Sequence, residues 1–109
     1  MNGRDARMNI RIEDIFEGRL VEEVLDLDEA RIESFRPRLD QLPPVTVFVT
    51  EDGLVLADGF HRVAAAQREG RAIVDAIVRA GSASEAIEYA SLVDEDEIGT
   101  PDRVLRAVP

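Results

Sequence analysis

The sequence predicts an α+β domain, a small mixed sheet of about four strands with roughly three to four helices. Three stretches carry that prediction. Met8–Ile12 alternates apolar and polar residues, the period of a half-buried strand. Val45–Thr50 and Leu54–Ala57 flank Glu51-Asp52-Gly53, which reads as a hairpin of β-branched and aliphatic strands around a turn. An Asp58-Gly59 corner then leads into an alanine-rich helix that stops at Gly70, and Ile73–Val78 follows as another strand.

In chain order, Met1–Arg7 reads as a flexible tail and residues 8–109 as a single domain. Ile10 and Ile12 of the first strand are expected to face inward. Glu13–Leu25 has no clear periodicity. Asp26-Leu27-Asp28-Glu29 reads as a helix start, with Asp26 and Glu29 spaced as a capping pair. Ile32, Phe35 and Leu39 share a helical face, and Pro37 is expected to end the helix near Phe35 or Arg36. Leu42-Pro43-Pro44 is punctuation before the hairpin. The helix from Gly59 to Glu69 has Phe60, Val63 and Ala64 on one stripe, and its small alanines allow close packing on the sheet. Ser82-Ala83-Ser84-Glu85 is a capping box for a helix from Ala83 to about Leu92, with Ile87 and Ala90 inward. Thr100-Pro101 reads as the start of a last short helix to about Ala107.

Composition narrows the chemistry. The 109 residues contain no cysteine, which excludes disulfides, thiolate metal sites and cysteine nucleophiles. That usage fits a cytoplasmic setting. The basic start has no apolar run, so neither a signal peptide nor a membrane span is expected. The net charge of −10 disfavours direct DNA binding. Asp94-Glu95-Asp96-Glu97 is a run of carboxylates read as solvated, and no metal site is expected.

The chemically suggestive stretch is Asp58-Gly59-Phe60-His61-Arg62. The first turn of a helix presents unpaired N–H groups and partial positive charge. Glycine allows close approach to a ligand, and arginine grips phosphate. The sequence therefore points to an anion site, with a nucleotide as the ligand. A plainer reading stands beside it. Asp58 caps the helix, Gly59 permits the turn, Phe60 is core, and His61 and Arg62 are solvated.

Asp58-Gly59-Phe60-His61-Arg62-Val63-Ala64-Ala65 resembles the signature of the ParB/sulfiredoxin-like superfamily. Gly59, Arg62 and Ala65 fit the ParB spacing, and Gly59, His61 and Arg62 fit the sulfiredoxin Gly-Cys-His-Arg. The resemblance implies a ParB N-terminal-like fold from about Met8 to about Ala90 and a segment that holds the triphosphate of CTP or ATP, with Mg²⁺ bridging the phosphates. It implies nucleotide-binding residues Asp58, Gly59, Phe60, His61, Arg62 and Ala65. Arg19 is a further candidate, matching an arginine that follows the first strand in ParB-like domains.

Departures from the pattern shape the functional expectation. Phe60 stands where sulfiredoxins carry their nucleophilic cysteine, so sulfinic acid reduction is excluded. Acidic Val93–Gly99 stands where ParB proteins complete their phosphate grip with asparagine and basic residues. No helix-turn-helix fits after Pro109, so operator recognition by this chain alone is not expected. A regulatory nucleotide-binding module remains, acting through a protein partner or a self-dimer and linked by resemblance to DNA partition or transcription. The alternatives are a small phosphotransferase or NTPase, with Asp58, Glu13, Asp14 and Glu17 as candidate bases by type, and a ligand-free interaction domain.

Overall fold

The structure is a computed structural model that describes residues 5–97, with side chains described to residue 92. Four strands form one mixed sheet: β1 (Ala6–Arg11), β2 (Val45–Thr50), β3 (Gly53–Asp58) and β4 (Ile73–Ala80), in the order β1-β4-β2-β3. β1 pairs antiparallel with β4, β4 parallel with β2, and β2 antiparallel with β3. The helices are α1 (Ile12–Phe16), α2 (Val21–Val24), α3 (Glu29–Phe35), α4 (Phe60–Arg68) and α5 (Ala83–Glu97), with a 3₁₀ segment over Arg36–Gln41. This is the α+β class with a mixed four-stranded sheet that the sequence predicts. The expected helix over residues 100–107 lies outside the described residues.

The parallel register sets the two faces of the sheet. Val45 lies opposite Ala76 and Val47 opposite Val78, and all four belong to the main core. Leu56 of β3 joins them, and α1 to α4 supply the rest of that core through Ile12, Val21, Ile32, Phe60 and Val63 to Ala66. The alternate residues of the strands point the other way. There Phe48 and Ala57 pack with Ala86 of α5 in a second, smaller cluster.

Several elements begin where the sequence could not place them. β1 starts at Ala6, so Ala6 and Arg7 pair with Val78 and Ile77 instead of lying in the tail. Ile12 is buried as expected, but as the first residue of α1 and not as strand. The cap of α3 is Asp28, whose Oδ1 accepts the N–H of Ala30 at 3.1 Å, and Asp26 is exposed. The cause is packing: Leu25 and Leu27 both reach the core, and residues two apart share a side only on extended backbone. The α-helical part then stops at Phe35, before Pro37, as the missing N–H and ring clash of proline require.

Ser82 and Glu85 form the expected reciprocal cap. The Ser82 N–H donates to Glu85 Oε1 at 2.7 Å, and the Glu85 N–H donates to Ser82 Oγ at 3.0 Å. Ala86 and Ala90 face inward from α5, whereas Ile87 is 55% exposed, against the expectation that it lies on the inner face. The backbone of 94–97 continues α5.

Candidate functional site

The corner from β3 into α4 begins with an irregularity. Thr46 pairs with Asp58 and Val47 with Leu56, so Ala57 is an extra residue on β3. A bulge of this kind re-aims the residue after it. Gly59 follows at the N-cap of α4 with φ 102°, in the left-handed region that glycine alone enters cheaply. A Cβ at Gly59 would lie 2.5 Å from Val45 Cγ1. The close approach that the glycine permits is therefore to the chain's own strand β2.

His61 and Arg62 are buried, not solvated. His61 is 0% exposed, and its Nε2 accepts the backbone N–H of Asp28 at 3.0 Å. Arg62 is 7% exposed. Its Nη1 donates to the carbonyls of Pro43 at 2.8 Å and Pro44 at 3.0 Å, and its Nη2 lies 3.4 Å from Asp58 Oδ2. Phe60 and Ala65 are core residues. The single apolar stripe expected for α4 becomes burial of every residue from Phe60 to Ala66. The reason is that β2 and β4 cover one side of the helix, and α2, α3 and the 3₁₀ segment cover the other.

The six corner residues are thus brought together, but Arg19 is not among them. Arg19 sits between α1 and α2, where its carbonyl accepts from Gln67 Nε2 at 3.0 Å. Gln67 is near the C-terminal end of α4, on the order of 10 Å along the helix from its first residue. The candidate bases Glu13 and Asp14 lie across from Arg11, while Asp58 faces Arg62.

An open cleft of ≈ 290 Å³ adjoins the corner. Arg62 and Ala66 of α4 form one wall, with Arg7 of β1 and Arg71 of the α4–β4 turn also facing it. Asp40 and Asp75 line it as well. Arg7 Nε donates to Asp75 Oδ2 at 2.9 Å, and Arg71 Nη1 to Asp40 Oδ1 at 3.3 Å. The hydrogen bond from Arg7 holds the Asp75 carboxyl below the usual carboxylate range. Sequence reading missed Arg7 and Arg71, since neither carries a local signal: one lies in a strand assigned to the tail, the other follows a helix stop.

Among the described residues no group of three or more His, Cys, Asp or Glu is placed to hold a metal ion. No helix among them is long and apolar enough to cross a membrane.

No family model matches the sequence, and no curated protein matches it. Solved structures do match in shape. Sulfiredoxin from Arabidopsis thaliana superposes with a TM-score of 0.62 at 17% identity, covering 77% of this chain and 96% of that one. A Pnob8-like ParB-N domain superposes with a TM-score of 0.59 at 16% identity, covering 94% of this chain and 41% of that one. The chain thus has the fold shared by sulfiredoxin and the ParB-N domain.

Proposed function

We propose that the chain is a nucleotide-binding regulatory module of the ParB type. It takes CTP or ATP with the phosphates against the start of α4, Mg²⁺ bridging them, and it acts through a partner protein or a second copy of itself. The observation that carries this reading is the position of Arg62. Two neutral carbonyls orient its guanidinium beside the Asp58 carboxylate, and the same side chain forms a wall of an open cleft. The carboxylate of Asp58, at 3.4 Å, is a long contact that a phosphoryl oxygen can replace. The cleft lies at the lower end of the roughly 300–1,000 Å³ range of ligand pockets. It suits a phosphate chain, with sugar and base outside.

A second reading is favoured by the closure of the corner on itself. Gly59 packs on Val45, and His61 is committed to Asp28. Both contacts serve a domain that keeps the fold for protein interaction and takes no ligand.

Thermal unfolding in CTP or ATP, with and without Mg²⁺, separates the two. A ligand that binds only the folded state raises Tm with its concentration. A rise with CTP or ATP, reduced in Arg62→Lys, supports the nucleotide module. No rise with either nucleotide at millimolar concentration supports the interaction domain. Release of phosphate in the same samples identifies an NTPase.

A further inference from the structure

The two edges of the sheet are finished differently. β3 forms one edge, where a bulge at Ala57 interrupts the ladder and α5 packs alongside, so that Ala57 is fully buried. β1 forms the other edge and has none of these protections. Its six residues carry no proline and no bulge, and they pair with β4 in an unbroken register from Ala6–Val78 to Arg11–Ile73. Every residue of β1 except Ile10 is exposed, Met8 among them. One antiparallel neighbour satisfies only half of a strand's N–H and C=O groups, and the other half points off the edge. Among the described residues no strand lies there to receive them.

We propose that this edge pairs antiparallel with β1 of a second copy, about a two-fold axis at Met8, and joins the two sheets into one. No nucleotide is needed for the pairing. Charge selects the register. With the axis at Met8, Ala6 lies opposite Ile10, Arg7 opposite Asn9, and Asp5 opposite Arg11, each twice by symmetry. Alternate residues share a face. Ala6, Met8 and Ile10 then make an apolar row on the side of the main core, where Ile10 already packs. Asp5, Arg7, Asn9 and Arg11 make a polar row on the other side, closed at each end by a pair of opposite charges. Neighbouring registers lose this match. An axis at Arg7 sets Arg7 against Arg7, and an axis at Asn9 sets Arg7 against Arg11, both unfavourable like-charge pairs. A shift by half a step turns the apolar row of one copy onto the polar side of the other. Within one chain Asp5 meets Arg79 at 3.3 Å, and Arg11 meets Glu13 and Asp14. All these side chains are exposed, so the contacts are weak and free to rearrange.

Sedimentation equilibrium of the untagged chain tests the pairing, at physiological salt to screen the net charge of −10 on each copy. A single strand pair is a small interface, so the wild type is expected to dimerise in the upper part of a range from about 10 µM to about 1 mM. Asp5→Arg and Arg11→Asp each set like charges opposite at both ends, and each is expected to weaken dimerisation at least about tenfold. An equal mixture of the two variants restores opposite charges at both ends and is expected to associate as tightly as the wild type. This recovery is the decisive arm, because damage to either chain does not produce it. Since the chain has no cysteine, Met8→Cys adds a single thiol. Its two copies face each other at about 4.5–5.5 Å between Cα atoms, within disulfide reach. Mild oxidation is expected to link Met8→Cys chains and to leave Val24→Cys, an exposed position off this edge, unlinked. A wild type that stays monomeric throughout overturns the proposal and leaves the edge to an extended segment of another protein. A dimer indifferent to both charge reversals overturns it by placing the interface elsewhere. A mixture no tighter than its separate components, or oxidation that links Val24→Cys as readily as Met8→Cys, overturns it as well.

Discussion

His61 Nε2 accepts the backbone N–H of Asp28 across 33 positions of sequence, at 3.0 Å. Asp28 caps α3 with its side chain and is itself anchored to the second residue of α4 through its main chain. The two helices are thus tied at their N-terminal ends. Replacing His61 by Phe keeps much of the volume but leaves that buried N–H without an acceptor. A loss of about 1–3 kcal/mol is expected in chemical denaturation. His61→Ala adds a cavity and is expected to lose more, about 2–4 kcal/mol. Equal stability of His61→Phe and wild type contradicts the tie.

Gly59 combines a left-handed φ with contact against Val45. Gly59→Ala is expected to cost about 2–3 kcal/mol, part from backbone strain and part from the clash. Pairing it with Val45→Ala relieves the clash but not the strain. In a double-mutant cycle, the two changes should therefore show a favourable coupling that restores only part of the loss. Full additivity contradicts the contact.

Arg68 joins α4 to both preceding helices. Its guanidinium meets Glu22 at 2.6 Å and Glu29 at 2.6 Å, and also bonds Glu33. These partners raise the Arg68 pKa above its ordinary value, the bonds to Glu29 and Glu22 most strongly. Arg68→Met keeps the stem and removes the charge. After allowance for solvent screening, Tm is expected to fall about 5 °C, the shift that ~1 kcal/mol produces in a domain of this size. The difference between the proteins should shrink in high salt.

Acid exposes the same network. The bond from Arg68 holds Glu29 below the usual range, bonds from Arg36 and Arg68 do so for Glu33, and the bond from Arg7 does so for Asp75. A depressed folded pKa contributes stability above the unfolded value and loses it as pH falls through the folded one. Stability should therefore hold from neutral pH down to about 4, the ordinary carboxylate range, and decline below it. Arg68→Met should decline less steeply over that window, since two of the three shifts depend on Arg68. Parallel curves for the two proteins contradict the assignment.

Ser82→Ala removes one half of a reciprocal cap and is expected to cost about 1 kcal/mol. Loss should appear first as faster amide exchange in the first turn of α5. Unchanged exchange there contradicts the role of the hydroxyl.

The Ser82–Glu85 cap was legible because both partners lie within four residues, where chain connectivity already places them together. The hairpin over Val45–Asp58, the alanine-rich helix and the stop at Phe35 were legible for the same reason. The cap of α3 was not, since the choice between Asp26 and Asp28 depended on how Leu25 and Leu27 meet a core built by other elements. Ala6 and Arg7 became strand because β4 offers them a ladder, which nothing in residues 1–7 announces.

By itself the sequence determined the α+β class, the Asp58-Gly59 corner and the group of residues that share it, because turn chemistry and hydrophobic period act over a few neighbours. Only the tertiary structure decided where those side chains point. His61 turned inward to a main-chain donor 33 positions away, and Arg62 turned to Pro43 and Pro44 on the wall of a cleft shared with Arg7 and Arg71. A buried polar side chain is aimed by the partners that satisfy it, and those partners arrive from distant parts of the chain only when the helices close over the sheet.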